Sequence, residues 1–232
     1  MGHKLVAATY NVHEWVGKDG RQRPARAVRV IGDLGADVVA LQEVSFCPTG
    51  PGRYTMEDLA RHTHMQVIPG LTLTKKDADF GNVLLTRHPL RDLRKLDLTF
   101  KTREPRGALM AVLDVHNVPC TVIATHLGLQ RRERHLQVQG LIKEIKAHGA
   151  GPLVLMGDFN EWNTFSGALR ILKAHFGKGP TPPTYPARCP VLGLDRIMVE
   201  PIKALQKVLV LKTPLTRFAS DHLPVKAFIR LS

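Results

Sequence analysis

Leu153-Val154-Leu155-Met156-Gly157-Asp158-Phe159-Asn160 reads as a short apolar strand that runs directly into a polar turn. A run of this length, closed by Gly and Asn, suits a buried β-strand. Immediately upstream, Arg131 to His148 sets Val138, Leu141, Ile142 and Ile145 at i, i+3, i+4 and i+7, the spacing of a helix with one buried face. Residues 121–125 form another apolar run, which stops at His126. Strand and helix alternate here, and polar residues wait where the strands end.

The same grammar extends in both directions. Residues 4–10 predict a buried strand leading to Asn11. Pro24 suits a first helical turn, and Ala27, Val28, Val30, Ile31 and Leu34 give an apolar helical face ending near Gly35. Residues 37–41 read as a strand with Gln42-Glu43 at its C-terminal end, and a short helix is expected over 56–64. Further strands are expected at 82–86, 108–115, 196–199, 208–211 and 225–230. A helix near 165–174 and a Pro/Gly-rich loop over 177–190 complete the chain. There is no internal repeat, low-complexity tract or linker, so the reading is one α/β domain over residues 1–232, with mixed sheets and helices packed outside them.

Composition sets further bounds. The 232 residues are long enough for a substantial core in one domain. Thirty-three Lys and Arg against 20 Asp and Glu give a net charge of +13, which favours phosphate-rich partners. Cys47, Cys120 and Cys189 are scattered, without CxxC or zinc-like spacing, and suit reduced thiols. Leu5–Ala8 is too short for a secretory h-region, and no apolar run reaches membrane-spanning length. A cytoplasmic monomer without stable membrane insertion is expected.

Apolar runs therefore end at Asn11, at Glu43, at His126, at Asp158 with Asn160, and at Asp221 with His222. Each alone fits a turn or a structural residue. Five ends carrying only acids, amides and imidazoles are harder to explain that way, because ligand groups in α/β sheets gather where strands give way to loops. Carboxylates and amides suit a hard, oxygen-preferring cation such as Mg²⁺ or Mn²⁺, which pairs naturally with phosphoryl oxygens. Neither a GxxxxGK[ST] phosphate loop nor a GxSxG elbow is present.

The segments Thr9–His13, Leu41–Val44, Gly81–Leu85, Arg106-Gly107, Thr125–Leu127, Gly157–Asn160, Leu194–Ile197 and Ser220–Pro224 together resemble the endonuclease/exonuclease/phosphatase superfamily, nearest to a small bacterial branch. They occur in that family's order across almost the whole chain. The resemblance implies a four-layer α/β/β/α sandwich of two packed mixed sheets, with the site at their shared edge. It implies Glu43 as the principal metal carboxylate, Asn11 beside it, and Asp221 at a second metal position or as polar support. It further implies Asp158 as the group that orients or deprotonates water, Asn160 and His126 as phosphate donors, and Asp195 as the carboxylate paired with His222. Whether His222 serves as a base or as a charged donor stays open.

Substrate is read from charge and from loops. Arg106, Asn82, Arg131 and Arg134 are candidate phosphate contacts, the arginines drawn from the clusters Lys101/Arg103/Arg106 and Arg131/Arg132/Arg134. Leu192-Gly193 stands where abasic-site endonucleases of the superfamily carry Trp-Arg, so dedicated abasic-site repair is not expected. Trp15, Trp162 and Phe165 lie near predicted site loops and are read as packing residues, and His62 and His64 as surface residues. The expectation is a metal-dependent nuclease acting on DNA. A phospholipid head-group or small-molecule phosphodiesterase or phosphatase is the alternative.

Overall fold

The computed structural model describes residues 2–49, 53–75, 78–149 and 151–231, with no side-chain description at 75. Among them, β1 (His3–Asn11), β2 (Val38–Phe46), β3 (Gln66–Lys75), β4 (Ala78–Thr86), β10 (Leu205–Val210) and β11 (Val225–Leu231) form a six-stranded mixed sheet ordered β10-β11-β1-β2-β4-β3. A five-stranded sheet, ordered β5-β6-β7-β8-β9, contains β5 (Leu90–Asp97), β6 (Gly107–Val115), β7 (Val118–His126), β8 (Leu153–Asp158) and β9 (Asp195–Glu200).

Side-chain alternation along the strands builds three apolar layers. Leu5 and Ala7 of β1 meet Val122 and Ala124 of β7 and Val154 and Met156 of β8 between the two sheets. The opposite parity, Ala8 and Tyr10 of β1 and Val39 and Leu41 of β2, packs under α1 (Pro24–Leu34) and α2 (Met56–Thr63). On the far side, Ile123 and Leu155 meet α3 (Arg131–His148) and α4 (Gly167–Phe176) through Val138, Leu141, Leu169 and Leu172. The expected α/β/β/α sandwich is the fold of this chain. A one-turn α5 (Thr216–Ala219) precedes β11, and no described helix is long and apolar enough to cross a membrane.

Several boundaries differ from the sequence reading. β3 and β5 were not expected: β5, LRDLRKLD, lies at a sheet edge and is partly exposed throughout, while β3 carries Pro69 and Gly70. Charged and turn-type residues hide an edge strand, because only one of its sides is paired. β8 runs on to Asp158, two residues past the expected 156. Gly157 makes this possible. It sits at φ 154°, and a Cβ there would collide with the Thr125 carbonyl oxygen on the parallel neighbour β7.

Candidate active site

Parity explains how the polar residues converge. On β1 the inward positions Leu5, Ala7 and Thr9 lead to Asn11. On β7 Val122 and Ala124 lead to His126, on β8 Val154 and Met156 lead to Asp158, and on β9 Val199 and Ile197 lead back to Asp195. The inner face of each strand thus changes from apolar to polar as it leaves the core. Glu43 needs a further device. The pairing of β2 with β4 shifts between Leu41 and Val44, so that one extra residue is accommodated there, and Glu43 takes φ 55°. This bulge places Glu43 inside a strand rather than at its end, and reverses the phase so that its carboxylate meets Asn11.

Asn11 joins the two sheets. Its Nδ2 donates to Glu43 Oε1 at 2.9 Å and to Asp158 Oδ2 at 3.1 Å, while its Oδ1 accepts from the His13 backbone N–H. Asp158 Oδ1 accepts from the backbone N–H of Asn160, which adopts φ 49°. Asn160 Nδ2 donates to the Leu127 carbonyl and lies 3.0 Å from His126 Nε2. Arg106 donates to His126 Nδ1 at 3.0 Å and pairs with Glu104 at 3.1 Å. A neutral imidazole carries one N–H, so it cannot accept from both Asn160 and Arg106 at once. One of these two donors is left over for another acceptor.

The two histidines are held in opposite states. Burial is the main influence that pushes His126 down to about 3; the Asp158 carboxylate opposes it, and the cationic Arg106 and His222 add to the depression. The contacts of His126 Nε2 with Asp158 (3.6 Å) and Glu43 (4.0 Å) are therefore those of a neutral ring. Burial also opposes charge on His222. There the Asp195 carboxylate, 2.9 Å from Nδ1, together with Asp158 and Asp221, prevails and holds the ring up to about 10. Its Nε2 lies 3.7 Å from Asp158 Oδ2.

Asp158, Asp195 and His222 bring ligand-type atoms within 4.8 Å of one another. A His222 ring protonated on both nitrogens offers no lone pair to a cation. Glu43 offers a second carboxylate that could hold a hard ion. Burial, assisted by Asp221 and Asp158, raises its carboxyl above the usual range despite the Asn11 hydrogen bond. A carboxylate raised by burial and by acidic neighbours fits a divalent cation. Asp221 is only half-buried, with Oδ1 3.8 Å from His13 Nδ1.

The remaining expected residues are more scattered. Asn82 is buried and donates to the Gly107 carbonyl, lining a narrow cavity with Glu43, Arg106 and His126. Arg131 is exposed at the start of α3. Arg134 does not face solvent. It is buried and donates to Glu161 Oε2 (3.0 Å) and to the carbonyls of Gly128 and Leu129. Its charge is already satisfied inside the protein, which corrects its assignment as a phosphate contact. Trp15 is buried with Nε1 donating to the Ser45 carbonyl, whereas Trp162 and Phe165 stand out from the surface. His62 and His64 are exposed, as expected.

Sequence reasoning missed three supporting residues. Ser220 Oγ donates to the Asn11 carbonyl and accepts from the His222 N–H. Buried Thr184 Oγ1 accepts from the Leu194 and Asp195 N–H groups. Glu161 holds Arg134, and its place next to Asn160 was the available signal.

The family model described as Endonuclease/Exonuclease/phosphatase family matches residues 8–222. Among solved structures, an endonuclease/exonuclease/phosphatase from Beutenbergia cavernae DSM 12333 is 24% identical with a TM-score of 0.80, covering 99% of this chain and 72% of that one. Humanized D. rerio TDP2 is 18% identical with a TM-score of 0.70, covering 97% and 98% of the two chains. The mannosyl-6-phosphatase Bt3783 of Bacteroides thetaiotaomicron VPI-5482 is 16% identical with a TM-score of 0.73, covering 96% and 98%. At these identities the likeness is one of fold. No curated protein matches the sequence.

Proposed function

Because this chain belongs to the endonuclease/exonuclease/phosphatase family, whose members hydrolyse phosphoester bonds, we propose that it is a divalent-metal-dependent phosphodiesterase that cleaves DNA. The observation that carries the chemistry is the cross-sheet cluster in which Asn11 binds both Glu43 and Asp158 while a cationic His222 stands 3.7 Å from Asp158. Such a cluster supports in-line attack by water on a phosphodiester. Asp158 orients the water and accepts its proton. His222, kept protonated by Asp195, donates to the phosphoryl oxygens as negative charge builds on them. Asn160, or Arg106 released from His126, supplies a further donor. A Mg²⁺ or Mn²⁺ ion held by Glu43 and Asp221, with Asn11 beside them, would neutralise charge on the phosphate.

The preference for DNA rests on the +13 net charge and on exposed Arg131, five residues beyond His126. The test is a hydrolysis panel of plasmid DNA, RNA, an abasic duplex, phospholipid and a chromogenic phosphodiester, with Mg²⁺ or Mn²⁺ and with EDTA. Plasmid cleavage that EDTA abolishes is expected. Turnover of phospholipid alone would replace the nuclease reading with that of a head-group phosphodiesterase.

A further inference from the structure

Large apolar side chains stand exposed on the two segments that leave β7 and β8 at the polar edge. Leu129 is 72% exposed, Trp162 63% and Phe165 86%. Monomeric proteins seldom leave such residues bare together unless something docks there. Leu129 follows His126 by three residues, and Trp162 follows Asn160 by two, so both belong to the segments that carry those groups.

Hydrogen bonds hold the two loops together. The buried Arg134 guanidinium donates to the carbonyls of Gly128 and Leu129 on one side and to Glu161 on the other. Glu161 Oε1 in turn accepts from the Asn163 N–H, and Asn163 Oδ1 accepts from the Phe165 N–H. The turn carrying Trp162 and Phe165 is thereby built from fixed contacts. Gly167, which ends it, lies against His135 of α3, since a Cβ there would be 2.8 Å from the imidazole. The same helix begins with Arg131 and Arg132, both exposed.

We propose that Leu129, Trp162 and Phe165, flanked by Arg131 and Arg132, form a platform on which unpaired bases of single-stranded DNA stack beside the cleavage site. The proposal rests on the nuclease reading above and specifies its substrate as unpaired rather than fully duplex DNA. Aromatic faces accept any base, and guanidinium groups beside them match a phosphate backbone, which is the combination that single-strand binders use. In duplex DNA the base faces are stacked inside the helix and unavailable to this rim.

Trp162 provides the test, because the protein has two tryptophans and Trp15 is fully buried. The wild-type protein is titrated in EDTA with a ten-residue oligothymidylate, with a blunt duplex, with oligouridylate and with anionic phosphatidylserine vesicles, while tryptophan emission is followed. Saturable quenching by oligothymidylate at lower concentrations than by the duplex is expected. Labelled-oligonucleotide anisotropy should show roughly tenfold weaker binding for Phe165→Ala and for Trp162→Ala, as the loss of one base–aromatic stack implies. Both side chains are exposed, so the variants should retain the wild-type melting temperature. Silent emission, tighter binding of the duplex, or quenching by oligouridylate alone would overturn the proposal. A blue shift on vesicles without any response to DNA would overturn it in favour of a lipid surface. Binding is read without turnover, so the two ideas fail separately. A protein that binds the oligonucleotide and cleaves no DNA keeps the platform and loses the nuclease, whereas cleavage with silent Trp162 does the reverse.

Discussion

Two imidazoles flank Asp158, with His126 Nε2 3.6 Å and His222 Nε2 3.7 Å from Oδ2; burial keeps the first neutral, and neighbouring carboxylates keep the second cationic. Replacing Asp158 with Ala removes the acceptor for the water proton, and kcat should fall by about 10²–10⁴-fold in steady-state assays while the fold is retained. The pH response follows from His222. Its folded value of about 10 lies above the ordinary 6.5, so the stability it adds is complete below about pH 6.5 and is lost as pH rises through 10. Denaturant midpoints should therefore decline between pH 6.5 and 10, and Asp195→Asn should flatten that part of the profile. An identical decline in the variant would refute the assignment. Most of these residues could be read from the sequence, because polar groups ending apolar runs are conspicuous. Ser220 and Thr184 could not, because a Ser or Thr near a motif looks the same whether it caps a loop or faces solvent.

At the scale of elements, α3 does more than cover a sheet. Arg134 on its first turn ties together the loops that follow β7 and β8, and both members of its pair with Glu161 are buried. Arg134→Ala leaves Glu161 as a buried charge without its partner, which costs roughly 3–5 kcal/mol. A fall of about 10 °C in melting temperature is expected by calorimetry. The sequence showed α3 itself with correct ends, yet placed Arg134 outside. Charge pattern alone cannot tell a solvated arginine from one whose partner is 27 residues away. The bulge at Glu43 was hidden for a related reason. An extra residue in one strand is visible only against its partner, and the expected strand was ended where the bulge begins. β3 and β5 escaped because edge strands lack the apolar run that marks central ones.

For the whole molecule, charge and layering matter most. If the net +13 draws the protein to phosphate backbones, the logarithm of affinity for DNA should fall linearly with the logarithm of salt concentration. Arg131→Ala should reduce that slope by about one, measured by anisotropy across a salt series. The layered architecture was legible because parity repeats from strand to strand: the inward positions that read apolar in β1, β7, β8 and β9 are the ones that turn polar at their ends. Asn11 and Glu43 belong to one sheet and Asp158 to the other, and a 3.1 Å hydrogen bond spans the junction. The apolar filling between the sheets is consequently a spacer gauge. Close-packed interiors yield little and pass displacement on, so the thickness of that filling fixes the gap across which a phosphate would be gripped. A methylene added or removed far below the polar edge alters the width of the jaw above it.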